Sequence, residues 1–128
     1  MNIQKYIKLA KKEAEKSKFG VWKIGSIIIK GKTIIGVGHN KFSGRMKMVE
    51  IKYNVQLYSL HAEMMSIMNC NENLDGAVMF IAGIYKSGRW VNCRPCKDCR
   101  KIIKNMPFKA IYYETQDGIE AWFPHPVN

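Results

Sequence analysis

Apolar and polar positions follow two different periods along this 128-residue chain. From Asn2 to Lys18, Ile3, Ile7, Ala10 and Ala14 recur every three or four residues with lysines opposite, which predicts an amphipathic helix. Phe19-Gly20 supplies its stop. Ile24 to Lys30 and Thr33 to Val37 are β-branched runs split by Gly31-Lys32, the pattern of a hairpin. Gly38 to Ser59 shows no period and is expected to be a long loop, functional or mobile. His61 to Asn69 reads as a helix with methionines and Ile67 on its buried side, and Ala77 to Tyr85 as a strand covered on both faces. Cys96 to Asn105, behind Pro95, predicts another helix, and Ala110 to Tyr113 a short strand. After Gly118 the pattern weakens: Trp122-Phe123 could dock on the core, while Pro124 and Pro126 block any long element. Helix, strand, strand, helix, strand, helix, strand is the order of an α/β layered domain, a central mixed sheet flanked by helices.

Composition narrows the class. A chain that is 47% hydrophobic and 24% charged can bury one core, so a single domain over residues 1–128 is expected. No apolar run approaches the ~20 residues of a membrane span. The N-terminus has no signal-like apolar stretch, and Glu13 and Glu15 among its lysines argue against an acid-poor transit peptide. A cytoplasmic protein with no membrane partner is the expectation. The apolar surface of a small layered domain is compatible with a homo-oligomer.

The cysteines are Cys70, Cys93, Cys96 and Cys99. Three within seven residues are too close for an ordinary disulfide framework and point instead to metal or redox chemistry. Net charge is +11, and it is uneven: Lys86 to Lys109 carries eight basic residues against one acid, Asp98. Such a run attracts a phosphate-bearing ligand, a nucleotide or a nucleic-acid strand. A solvated face in a lysine-rich chain accounts for it equally, because charge alone specifies no ligand.

Two short patterns carry the candidate chemistry: His61-Ala62-Glu63 and Pro95-Cys96-Lys97-Asp98-Cys99, whose first Cys lies 35 residues after His61. Each is weak alone. A CxxC can be redox-active, structural or accidental, a single His beside an apolar helix is commonly a core residue, and Glu63 could be a solvated charge. Together, one His and two Cys give three zinc ligands and leave a tetrahedral position open, which separates a catalytic zinc from a closed structural one. A zinc so held brings the pKa of a water to near ~7. A carboxylate two residues from the ligating His can accept and return its proton. On a regular helix positions i and i+2 point apart, so His61 and Glu63 can both face the metal only if His61 sits at the helix edge.

The two patterns together match the H-x-E…P-C-x-x-C signature, and the chain resembles the zinc-dependent cytidine and deoxycytidylate deaminases. The likeness extends through Ser26–Lys30 and Gly36–Asn40, similar to that family's first hairpin, and through Arg100–Ile103 and Ala110–Tyr113, similar to its last helix and strand. It implies a cytidine-deaminase-like fold, Zn2+ held by His61, Cys96 and Cys99, and Glu63 as proton shuttle. It further implies Asn40 on the substrate sugar and the Ala62 backbone on the base. His61 stands where free-nucleoside cytidine deaminases usually have Cys, which places the chain nearer the deoxycytidylate, tRNA-adenosine and nucleic-acid-editing branches. Arg89, Arg94 and Lys97 are candidates for a substrate phosphate.

Two departures stand out: only fourteen residues follow Glu114, short of the further helix and strand of many relatives, and the segment 41–58 matches no branch. The resemblance therefore implies a deaminase of a dCMP-like nucleotide, with cytosine or adenine within DNA or RNA as the alternative substrate. An inactive zinc-stabilised binding module is the reading of another class, and Glu63 argues against it. Cys93 extends the motif to C-x2-C-x2-C and could compete as a ligand, but it is better read as a small buried residue or a bystander. His39 and His125 could reach the site, and Trp90, Trp122 and Tyr58 could stack on a base, although such aromatics more often pack.

Overall fold

A computed structural model of the chain describes residues 1–18, 22–41, 51–53, 61–85 and 92–126. Its elements are α1 (Ile3–Ala14), β1 (Trp22–Lys30), β2 (Thr33–His39), α2 (Ala62–Met68), β3 (Val78–Tyr85), α3 (Lys97–Ile103), β4 (Ala110–Thr115) and β5 (Gly118–Trp122). The strands form one sheet in the order β2-β1-β3-β4-β5. Only β3 and β4 are parallel, so the sheet is mixed. The β1–β2 hairpin closes on Gly31 at φ 65°, a left-handed conformation that costs glycine little.

Alternation along the strands divides the core between two faces. Ile27, Ile29, Val78, Phe80 and Ala82 point to one side and meet Tyr6, Ile7 and Ala10 of α1. Ile28, Met79, Ile81 and Ile111 point to the other, where Met64 and Met65 of α2 and Cys99, Ile102 and Ile103 of α3 cover them. The result is three layers, with the central strand β3 buried from Val78 to Gly83 as its unbroken apolar run requires.

α2 lies unusually close to the sheet. A Cβ on Gly36 would fall 2.4 Å from the Ser66 carbonyl oxygen, and one on Gly38 2.4 Å from the Ser66 nitrogen. The later residue of β2 faces the earlier part of α2, so the N-terminus of α2 lies at the end of the sheet where β2 stops.

Several boundaries differ from the sequence reading. α1 ends at Ala14 rather than Lys18, because Lys16 and Ser17 donate to Glu13 and Ala14, three residues back, and tighten the turn. α3 ends at Ile103 in the same way, with Asn105 and Met106 bonding to Ile102 and Ile103. β5 is a strand where none was expected, pairing antiparallel with β4. Within the expected loop 38–59, β2 continues through His39 and residues 51–53 are helical, while 42–50 and 54–60 lie outside the described residues. Among the described residues, no helix is long and apolar enough to cross a membrane.

Candidate active site

His61 is the N-cap of α2, with extended backbone at φ −67°, ψ 153°. Its carbonyl accepts the Met65 N–H, so its side chain is released from the helix surface while Glu63 occupies the first turn. Cys96 is likewise the N-cap of α3, behind the buried Pro95, and its Sγ accepts the Cys99 N–H at 3.4 Å. Two helix starts thus meet, and both ends present amide hydrogens toward negative charge.

The three donor atoms converge. His61 Nδ1 lies 3.2 Å from Cys99 Sγ and 3.4 Å from Cys96 Sγ, and all ligand atoms fall within 4.8 Å of one another. Tetrahedral zinc with Zn–N and Zn–S bonds of about 2.0 and 2.3 Å separates neighbouring ligands by roughly 3.5 Å. One nitrogen and two sulfurs at this spacing fit zinc, and no fourth His, Cys, Asp or Glu joins the cluster among the described residues. Cys93 is buried against Gly83 instead, its thiol pushed up chiefly by burial.

Protons are unevenly held around this centre. The Cys96 thiol is lowered to about 4, first by a hydrogen bond from Cys99, against desolvation, and then by His61. Cys99, fully buried, is pushed far up, first by that bond to Cys96 and then by burial. His61 is raised, chiefly by its bond to Cys96. Glu63, 5% exposed, is raised by burial, with the His61 charge opposing. A zinc dication would find one sulfur already anionic and the other needing only to lose its proton.

The profile of the cytidine and deoxycytidylate deaminase zinc-binding region matches residues 1–115. The chain belongs to this family. It is therefore a zinc-dependent deaminase, a hydrolase whose metal is held by His61, Cys96 and Cys99. None of the curated proteins matches it. Solved structures share the fold. The apo dCMP deaminase of cyanophage S-TIM5 is 24% identical, with TM-score 0.62 over 88% of this chain and 81% of that one. The same phage enzyme in complex with dCMP and dUMP is 23% identical, with TM-score 0.64 over 87% and 79%. A cytidine deaminase from Burkholderia pseudomallei is 13% identical, with TM-score 0.67 over 97% and 94%.

The other residues singled out in the sequence fall in three groups. Ala62 is buried at the first position of α2, beside His61. Asn40, 7% exposed, follows β2 and brackets the start of β1: its Oδ1 accepts the Ile24 N–H at 2.9 Å and its Nδ2 donates to the Trp22 carbonyl at 3.0 Å. Arg94 and Lys97 are exposed on either side of Cys96, and neither pairs with a carboxylate among the described residues. Arg89, Trp90 and Tyr58 lie outside the described residues. His39 pairs with Glu13 at 2.8 Å, His125 bonds the Met106 carbonyl at 2.7 Å, and neither joins the metal cluster. Trp122 packs on the core, as do Met64, Met65, Met68 and Cys70. Residue patterns did not reveal Ser26 and Ser66, whose hydroxyls meet behind Glu63 at 2.9 Å. Their only signal is a serine at an inward position of a strand and of a helix.

Proposed function

We propose that this deaminase acts on a cytosine nucleotide of the dCMP type, giving the uracil nucleotide and ammonia. The observation that carries the reading is Glu63: a buried carboxyl in the first turn of α2, next to a three-ligand cluster, whose proton affinity is raised by burial. Zinc held there acts as Lewis acid and makes a water acidic enough to attack near neutral pH.

Glu63 takes a proton from the attacking water and gives it to ring nitrogen N3 as the hydroxyl adds to C4. It then carries the hydroxyl proton to the exocyclic nitrogen. The C4–N bond breaks, ammonia leaves, and C4 keeps its oxygen as a carbonyl. The Ala62 backbone lies beside the base, and Asn40 has one amide hydrogen not taken up among the described residues, which serves a sugar hydroxyl. Arg94 and Lys97 face the phosphate. The phage relative whose structure holds dCMP and dUMP supports a nucleotide-sized ligand in this fold.

The test uses zinc-loaded protein with dCMP, deoxycytidine and single-stranded oligonucleotide, following uracil and ammonia release. The expected result is dCMP turnover at kcat/KM about tenfold or more above deoxycytidine, equivalent to about 1.4 kcal/mol of phosphate binding, and none on oligonucleotide. Turnover of oligonucleotide alone would overturn the substrate. Glu63→Gln should keep its zinc and lose about 100-fold or more of kcat, the scale of a proton-transfer catalyst. An active Glu63→Gln protein would overturn the mechanism, and no turnover of any substrate would leave the binding module.

A further inference from the structure

Ser66 is three residues after Glu63 and fully buried, as is Ser26 in the middle of β1. The Ser66 hydroxyl donates to the Glu63 carbonyl at 2.8 Å. Its single hydrogen is thereby used, so in the 2.9 Å contact between the two serines Ser26 is the donor. A directional chain runs from β1 through Ser26 and Ser66 to the backbone of Glu63. Ser66 is also the point of closest approach between α2 and the sheet, the residue whose backbone Gly36 and Gly38 make room for. Any roll of α2 about that fulcrum moves its first turn, and with it the Glu63 side chain.

Stability alone does not require the pair, since replacing both partners of a buried hydrogen bond by apolar groups can be nearly neutral. What alanines lack is direction. A hydrogen bond weakens steeply off its axis, whereas an apolar contact tolerates rotation. We propose that Ser26 and Ser66 are positioning residues that fix the rotation of α2 and hence the placement of the Glu63 carboxyl relative to the metal ligands. This rests on Glu63 being the proton shuttle.

The test compares Ser26→Ala, Ser66→Ala, the double Ser26→Ala/Ser66→Ala and Glu63→Gln. It reads kcat, KM, zinc per chain and thermal midpoint. Ser66→Ala leaves the Ser26 hydroxyl buried without its acceptor, so midpoint and kcat both fall. In the double variant the midpoint recovers toward wild type while kcat stays down by about tenfold, within the roughly 100-fold that ~1 Å of misplacement can cost. KM stays within about twofold and each chain keeps its zinc. Should Ser66→Ala not fold, Ser26→Ala decides alone, because it cuts only the tie to β1 and leaves the bond from Ser66 to Glu63. There too kcat drops with KM and zinc unchanged.

Recovery of kcat along with the midpoint, or loss of zinc in proportion to activity, overturns the proposal. If Glu63→Gln is inactive and the double variant fully active, the serines alone are misread. If Glu63→Gln itself retains wild-type kcat, the shuttle is wrong and the serine proposal goes with it.

Discussion

Cys96 and Cys99 share one motif, yet in the metal-free protein they hold protons in opposite ways, first because they hydrogen-bond to each other and then because burial pushes the unexposed Cys99 further up. The Cys99 thiol donates to Cys96, so the exposed sulfur is the anion, with its pKa lowered from 9.0 to about 4. The sign follows directly: above pH ~5 Cys96 stays a thiolate, and only acidification through about 4 protonates it. An ordinary thiol, with a pKa near ~8.5, loses about tenfold in thiolate for each unit below that value. Alkylation of the metal-free protein at pH 6 should therefore modify Cys96 first, at a rate nearly constant down to about pH 5, and zinc should suppress it. Peptide mapping after iodoacetamide reads this, and equal labelling of Cys70 and Cys96 would refute it. At this scale the metal ligands were legible, because His61, Cys96 and Cys99 announce themselves by spacing and type. Ser26 and Ser66 were not, because each finds its partner 40 residues away and nothing in either neighbourhood marks it. Asn40 was legible as a candidate, but its bracketing of Trp22 and Ile24 was not, since it depends on where β1 begins.

The helices carrying the site are each only seven residues long, too short to be stable by themselves. Their placement comes from docking, so the seat matters more than the helix. Gly38 is that seat for α2: a Cβ there would lie 2.4 Å from the Ser66 nitrogen and 2.5 Å from Met65 Cβ, and backbone cannot swing aside as a flexible side-chain tip can. Gly38→Ala should destabilise by about 1–3 kcal/mol, the usual cost of overpacking. It should also lower zinc content and turnover together, because His61 and Glu63 both ride on the displaced helix. Thermal melts with metal analysis check this, and a variant with wild-type zinc and activity would show that α2 has slack. The main elements were readable from periodicity wherever one face is apolar. β5 was missed because its pattern is weak, exposed at Gly118, Glu120 and Ala121 and only half-buried at Ile119 and Trp122. The Asp117-Gly118 turn signal was there, but no strong strand followed it.

The sheet order β2-β1-β3-β4-β5 could not be read from the chain, because apolar alternation says that a strand is buried and not which neighbour it takes. That order brings the beginning of β1, the end of β2 and the N-termini of α2 and α3 to one region, and it decides where the charge acts. The chain carries +11, and two residues of its basic run, Arg94 and Lys97, flank the ligand Cys96 and are exposed. Exposed charges act through solvent, over about 30 Å at 0.01 M salt but only about 8 Å at 0.15 M. A phosphate-bearing substrate should feel this field and a neutral nucleoside should not. Raising NaCl from about 20 to 300 mM should thus lower kcat/KM for dCMP several-fold, roughly 3–10-fold, through KM, with kcat unchanged. Deoxycytidine should respond by less than about 1.5-fold, since it offers no charge to be screened. Replacing Arg94 and Lys97 by serine should flatten the dCMP response toward that of deoxycytidine. A strand bound at many phosphates would instead show a log–log salt slope approaching one unit per contact. Steady-state kinetics at four or five salt concentrations separates these cases. An identical response of nucleotide and nucleoside would mean that the basic run faces solvent only and that the phosphate, if recognised, is held elsewhere.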